Sequence, residues 1–196
     1  MKQVTIELYN VNELKELHPE GFERAYHQYQ KRQEESDYSW NYEVSETMKK
    51  FLAIFNCQHL GWAAFDRVRF DYKMPEVYLE NEVGEEIAYD FNELKGNLLA
   101  QYFQDYLSTE TLELFKDYEN CPLTGICFDY EPLRVMDEYL KGNRPNHSLE
   151  DLIDEGLNLL IDEVESDIEY RESEAAFMEE CQWEDLHFTA EGQVIA

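Results

Sequence analysis

The stretch SLEDLIDEGLNLLIDEVESDIEYRESEAAFMEECQWED, residues 148–185, organises the reading of this chain. Its apolar residues fall at Leu149, Leu152, Ile153, Leu157, Leu160, Val164 and Ile168, with Gly156 in one slot of the same stripe. That three-and-four spacing marks one face of a helix with 3.6 residues per turn. Ser148 followed by Asp151 fits a capping box, and acids in the first turn suit the positive end of the helix dipole. The pattern predicts one long helix over 148–185.

The other face is almost purely anionic: Glu150, Asp151, Asp154, Glu155, Asp162, Glu163, Glu165, Asp167, Glu169, Glu172 and Glu174. Neighbouring carboxylates such as Asp151 and Glu155 repel by a few tenths of a kcal/mol per pair, roughly. Stability alone would intersperse lysines, yet only Arg171 is basic. Residues 148–180 hold 13 acids and one Arg. Over about 50 Å of helix, that is about one net charge per 4 Å. One strand of DNA carries a phosphate every ~3.4 Å. The bland reading is a solvated face on a soluble protein. The sharp one is a surface that resembles nucleic acid to a basic partner. It assigns partner contact to Asp151, Asp154, Glu155, Asp162, Glu165, Glu169, Glu172 and Tyr170.

Composition points the same way. The formal net charge is −28 over 196 residues, and the last 46 residues carry half of it. A hydrophobic fraction of 43% with 14% aromatics supplies a core, which argues against global disorder. The length predicts a single α+β domain over 1–196, with the acidic helical segment 148–185 inside it. The field of such a chain repels phosphate, so direct binding to nucleic acid or an anionic membrane is excluded. Its partners are basic surfaces. No apolar run approaches the ~20 residues that span a bilayer. Cys57, Cys121, Cys127 and Cys181 follow no signal-peptide pattern, so reduced thiols in a cytoplasmic protein are expected.

From the N-terminus, Lys2–Tyr9 alternates with Val4, Ile6 and Leu8 on one face, as a half-buried strand does. A short helix is expected over Asn12–Leu17, and Pro19 opens another to about Glu35. Trp40–Phe55 places Val44, Met48, Phe51, Leu52 and Phe55 on one stripe. Trp62–Tyr72 and Glu76–Glu80 read as two strands of a hairpin, and Glu82–Asp90 as a polar connection. Helices are expected over Phe91–Leu107, Ser108–Tyr118 and Pro132–Leu140, with a tight Pro/Gly crossing at 120–127. Leu186–Thr189 reads as a last strand before a Glu191–Gly192 turn. The fold class is therefore α+β: a small antiparallel sheet of about four strands covered by about six helices.

Candidate chemistry is sparse. There is no Gly-rich phosphate loop, G-x-S-x-G or H-E-x-x-H. Asp151-x-x-Asp154-Glu155 with Glu163-x-x-x-Asp167 loosely echoes the carboxylate patterns of Mg²⁺-dependent nucleotide pyrophosphohydrolases, but lacks a second carboxylate helix. Cys121 and Cys127 fit neither a redox nor a zinc spacing. No catalytic residue, metal ligand or cofactor is assigned. Tyr26, Tyr29, Tyr102, Tyr106 and Tyr139 fall on inner stripes. Tyr9, Tyr38, Tyr42, Tyr78 and Tyr170 are candidates for exposure, and a tyrosine beside carboxylates grips Arg and Lys well.

At CPLTGICFDY (121–130), DYSWNYEV (37–44) and SDIEYRESEAAFMEE (166–180) the chain resembles small acidic accessory proteins of phages and mobile elements of bacteria. The resemblance spans most of the chain. That family is largely uncharacterised, so no catalytic residues carry over. The resemblance implies a setting, inhibition of host defence by antirestriction or anti-CRISPR proteins, many of which mimic nucleic acid. The resulting expectation is a non-enzymatic inhibitor of a defence nuclease in the bacterial cytoplasm. An antitoxin-like interaction module and the Mg²⁺-dependent hydrolase are the alternatives.

Overall fold

The computed structural model describes residues 7–35, 40–63, 69–81, 83–125 and 127–195. Among them are eight α-helices: α1 (Val11–Leu17), α2 (Pro19–Glu35), α3 (Trp40–Ile54), α4 (Gly96–Tyr106), α5 (Thr109–Lys116), α6 (Tyr130–Leu140), α7 (Leu149–Arg171) and α8 (Glu174–Trp183). The strands are β1 (Gln58–Ala63), β2 (Arg69–Lys73), β3 (Val77–Glu80), β4 (Glu86–Tyr89), β5 (His187–Phe188) and β6 (Val194–Ile195). The fold is α+β, but among the described residues the expected four-stranded sheet does not form. β1–β2, β3–β4 and β5–β6 are three separate antiparallel pairs. No helix among the described residues is long and apolar enough to cross a membrane.

The chain divides into two compact units: Met1–Tyr38 with Glu165–Ala196, and Ser39–Val164. Helix α7 contributes to both, passing from the second to the first after Val164.

In the first unit, α1 is specified by its cap. The Asn10 side chain accepts from the Asn12 and Glu13 N–H groups, and Glu13 Oε2 accepts in turn from the Asn10 N–H. Two orphan donors of the first turn and the cap N–H are thereby satisfied. The core gathers on Phe177 of α8, whose ring lies 5.2 Å from Tyr29, 5.6 Å from Phe22 and 6.3 Å from Phe188. The start of α2 packs backbone to backbone against the β5–β6 turn. A Cβ on Gly21 would fall 2.3 Å from the Ala190 carbonyl oxygen, and one on Gly192 2.1 Å from that of Gly21. The expected Glu191–Gly192 turn is present, with Gly192 at φ +84°. Of the strand expected over Lys2–Tyr9, residues 2–6 lie outside those described. Tyr9 itself bridges Phe188 with two backbone hydrogen bonds of 2.9 and 2.8 Å.

In the second unit the α3 stripe is buried as its spacing requires: Val44, Met48, Phe51, Leu52 and Phe55 are all fully inaccessible. The α7 stripe from Leu149 through Val164 is buried likewise, and Gly156 lets α7 approach α6 closely. A Cβ there would stand 3.0 Å from the Pro132 Cα.

Several boundaries differ from the sequence reading, among them the start of the helix expected over Phe91–Leu107, which begins only at Gly96. Of Trp62–Tyr72, read as one strand, residues 64–68 lie outside those described; 62–63 belong to β1 and 69–72 to β2, which pair with each other. β3 pairs instead with β4, in the segment read as a polar connection. There the Asn81 side chain accepts from the Val83 and Glu85 N–H groups, and Gly84 turns at φ +80°. Finally, the helix expected over 148–185 breaks at residues 172–173. Ser173 is extended and its hydroxyl accepts from the Ala176 N–H at 3.2 Å, so it caps a new helix.

Candidate functional site

Helix α7 begins where Ser148 and Asp151 exchange hydrogen bonds, Asp151 N–H to Ser148 Oγ at 3.1 Å and Ser148 N–H to Asp151 Oδ2 at 2.8 Å. The Ser148 N–H, aided by its hydroxyl, holds the Asp151 carboxyl below the usual range. One turn on, Asp154 accepts the Tyr72 hydroxyl at 2.6 Å. Burial and this bond raise the Tyr72 pKa, so the phenol remains a donor. Glu155 pairs with Arg144 and lies 3.7 Å from His147 Nε2.

Arg144 is the hub of this end. It also donates to Glu138 at 2.7 and 3.0 Å, and Glu138 in turn pairs with Arg134. Burial by itself would raise Glu138. The hydrogen bond from Arg144 and the charges of Arg134 and Arg144 outweigh it and bring the carboxyl below its usual value. Only 16% of the Arg144 side chain is exposed, so these are pairs with structural weight rather than solvated contacts.

Further along, the pattern changes. Asp162, Glu165 and Glu169 are exposed. Among the described residues they have no side-chain hydrogen bond or ion pair. Asp167 pairs with Arg171 at 2.7 Å. Tyr170 is half exposed and donates to Glu179 Oε2 at 2.6 Å. Glu172 is half-buried, and its carbonyl accepts the Tyr26 hydroxyl at 2.8 Å.

The eight residues singled out from the sequence thus fall into two groups. Asp151, Asp154, Glu155, Tyr170 and Glu172 have intramolecular partners that fix the helix or its surroundings. Asp162, Glu165 and Glu169 point to solvent without compensation. They stand three and four residues apart, hence on one face of α7, about 4.5 and 6 Å apart along the axis. Among the described residues, no three His, Cys, Asp or Glu side chains are arranged to hold a metal ion.

The tyrosines also sort. Tyr42, Tyr78 and Tyr170 are exposed, while Tyr38 lies outside the described residues. Tyr9 is half-buried. Tyr106, assigned to an inner stripe, is instead 46% exposed and donates to the Tyr78 carbonyl across to β3. The residue that the sequence reading missed is Trp183, at the last position of α8 and 90% exposed. Its signal was present all the same: a Trp between Gln182 and Glu184 fits no apolar stripe.

No protein-family model matches this chain, and no curated protein and no solved structure matches it either.

Proposed function

We propose that this protein is a non-enzymatic inhibitor that presents an acidic helix to the basic nucleic-acid-binding surface of another protein. The observation that carries this is the uncompensated trio Asp162, Glu165 and Glu169 in a molecule of net charge −28. Lys15, Arg32, Arg134, Arg144 and Arg171 are all taken up by carboxylates of the chain itself. The remaining surface therefore attracts cations strongly. Association with a basic protein is steered, fast and salt-sensitive.

The target class follows from the resemblance at 37–44, 121–130 and 166–180: a nuclease of bacterial defence, in the cytoplasm of the host. The carboxylates of α7 stand where a phosphate backbone would lie, and duplex and inhibitor compete for one channel. A competition assay tests this. With a defence nuclease, wild-type protein blocks duplex binding at ~50 mM salt and progressively less at ~200 mM, as counterion release requires. The triple variant D162K/E165K/E169K fails to block. Full inhibition by that variant rules the reading out.

A further inference from the structure

The end of α8 carries a second feature of the first unit. Trp183 is 90% exposed, the most exposed of the large hydrophobic side chains among the described residues. It lines a shallow concavity with Tyr29, Tyr170, Glu179, Glu180 and Gln182. Tyr170 is itself half exposed, and its hydroxyl fixes the Glu179 carboxylate at 2.6 Å. Glu184 and Asp185, both exposed, follow Trp183 directly and have no ion pair among the described residues.

Of the carboxylates in this depression Glu180 is paired with Arg32, while Glu179 is held, among the described residues, only by the neutral Tyr170 hydroxyl. With the indole face beside it, Glu179 makes a receptor for a flat cation. Trp is the best cation–π acceptor, and a planar guanidinium both stacks on it and donates two parallel bonds to a carboxylate. Lysine can do only part of this. A second copy of this chain is a poor occupant, because two molecules of charge −28 repel. An anionic ligand is excluded by the same field.

We propose that this concavity is a docking site for an arginine side chain on a basic protein partner, with Trp183 as the anchor and Glu179 as the carboxylate that the Tyr170 hydroxyl positions. The inference rests on the basic partner proposed above and names the side chain that partner presents.

The test uses the full-length protein, ¹⁵N-labelled at its tryptophan indoles, and two probes: a nine-residue arginine peptide and its lysine counterpart. The indole signal that disappears in Trp183→Phe is assigned to Trp183. The arginine peptide is expected to shift that signal and to bind more tightly than the lysine peptide. Trp183→Ala is expected to weaken the arginine peptide about tenfold and the lysine peptide less. Because the side chain is 90% exposed, the variant keeps its fold, which circular dichroism checks. Unchanged arginine binding by Trp183→Ala overturns the inference. If D162K/E165K/E169K alone loses binding, the docking site is wrong and the acidic ridge stands. If Trp183→Ala alone loses it, the docking site stands and the ridge falls. If the wild type binds neither peptide at low salt, both are wrong. Self-association of the free protein that Trp183→Ala abolishes also overturns it.

Discussion

Neutralising the trio on α7 should make the fold more stable. In D162N/E165Q/E169Q, the like-charge neighbours Asp162–Glu165, Glu165–Glu169 and Glu169–Glu172 are all relieved. Each i,i+3 or i,i+4 repulsion costs about 0.2–0.5 kcal/mol. Glu169 adds a small further cost, since it sits in the last turns of a helix that ends at Arg171, where the dipole disfavours an anion. The total is about 1 kcal/mol at low ionic strength. For a chain of this size that raises Tm by roughly 2–4 °C. The gain should fade in 1 M salt, where the screening length of about 3 Å is shorter than the ~5–6 Å between these side chains. Differential scanning calorimetry at 20 mM and 1 M NaCl measures both. The same substitutions should abolish partner binding, so stability and binding move in opposite directions. A triple variant that melts below the wild type at low salt refutes the division of the acids into structural and uncompensated groups.

Four further outcomes follow from the same structure. Arg144→Met leaves Glu155 half-buried without its arginine and Glu138 with Arg134 alone, so a loss of about 1–3 kcal/mol is expected in urea unfolding. Asp129 is fully buried and accepts from the Leu123 and Thr124 N–H groups and the Thr47 and Thr124 hydroxyls. Asp129→Asn should cost about 1–3 kcal/mol in the same assay, because an amide cannot accept all four bonds. Gly21→Ala should destabilise despite the helical preference for Ala, since its Cβ meets the Ala190 carbonyl at 2.3 Å and that contact is backbone. Burial pushes the Cys57 and Cys181 thiols up to about 12. Both should resist iodoacetamide at pH 8.5 until the chain unfolds. The folded state binds these protons more tightly, so they leave stability unchanged below the usual thiol range and lower it as pH rises from there towards 12.

How far the sequence carried depended on periodicity. The α3 and α7 stripes were legible because Val44 through Phe55 and Leu149 through Val164 each face a single core. The capping box of Ser148 and Asp151 was legible too. β4 was not, because its residues alternate with nothing: Glu86, Ile87 and Ala88 are all exposed, and the pair is held by the buried Val77 and Leu79 of β3. The helix break was hidden by composition. Acids run on through Glu172, Glu174 and Glu179, and the one residue that ends the run, Ser173, signals only through its cap bond to Ala176. At the candidate site, charge density was readable but its division was not. Whether a carboxylate is spent depends on Tyr72 and Arg144, distant in sequence from the acids they hold.

The most direct test of the central claim is a pull-down from bacterial host lysate with the full-length protein and with D162K/E165K/E169K, each at ~50 mM and ~500 mM salt. A basic nucleic-acid-binding protein is expected to be retained by the wild type at low salt, released at high salt, and absent from the variant under both conditions. Retention of the same protein by the charge-reversed variant, at either salt, would contradict it.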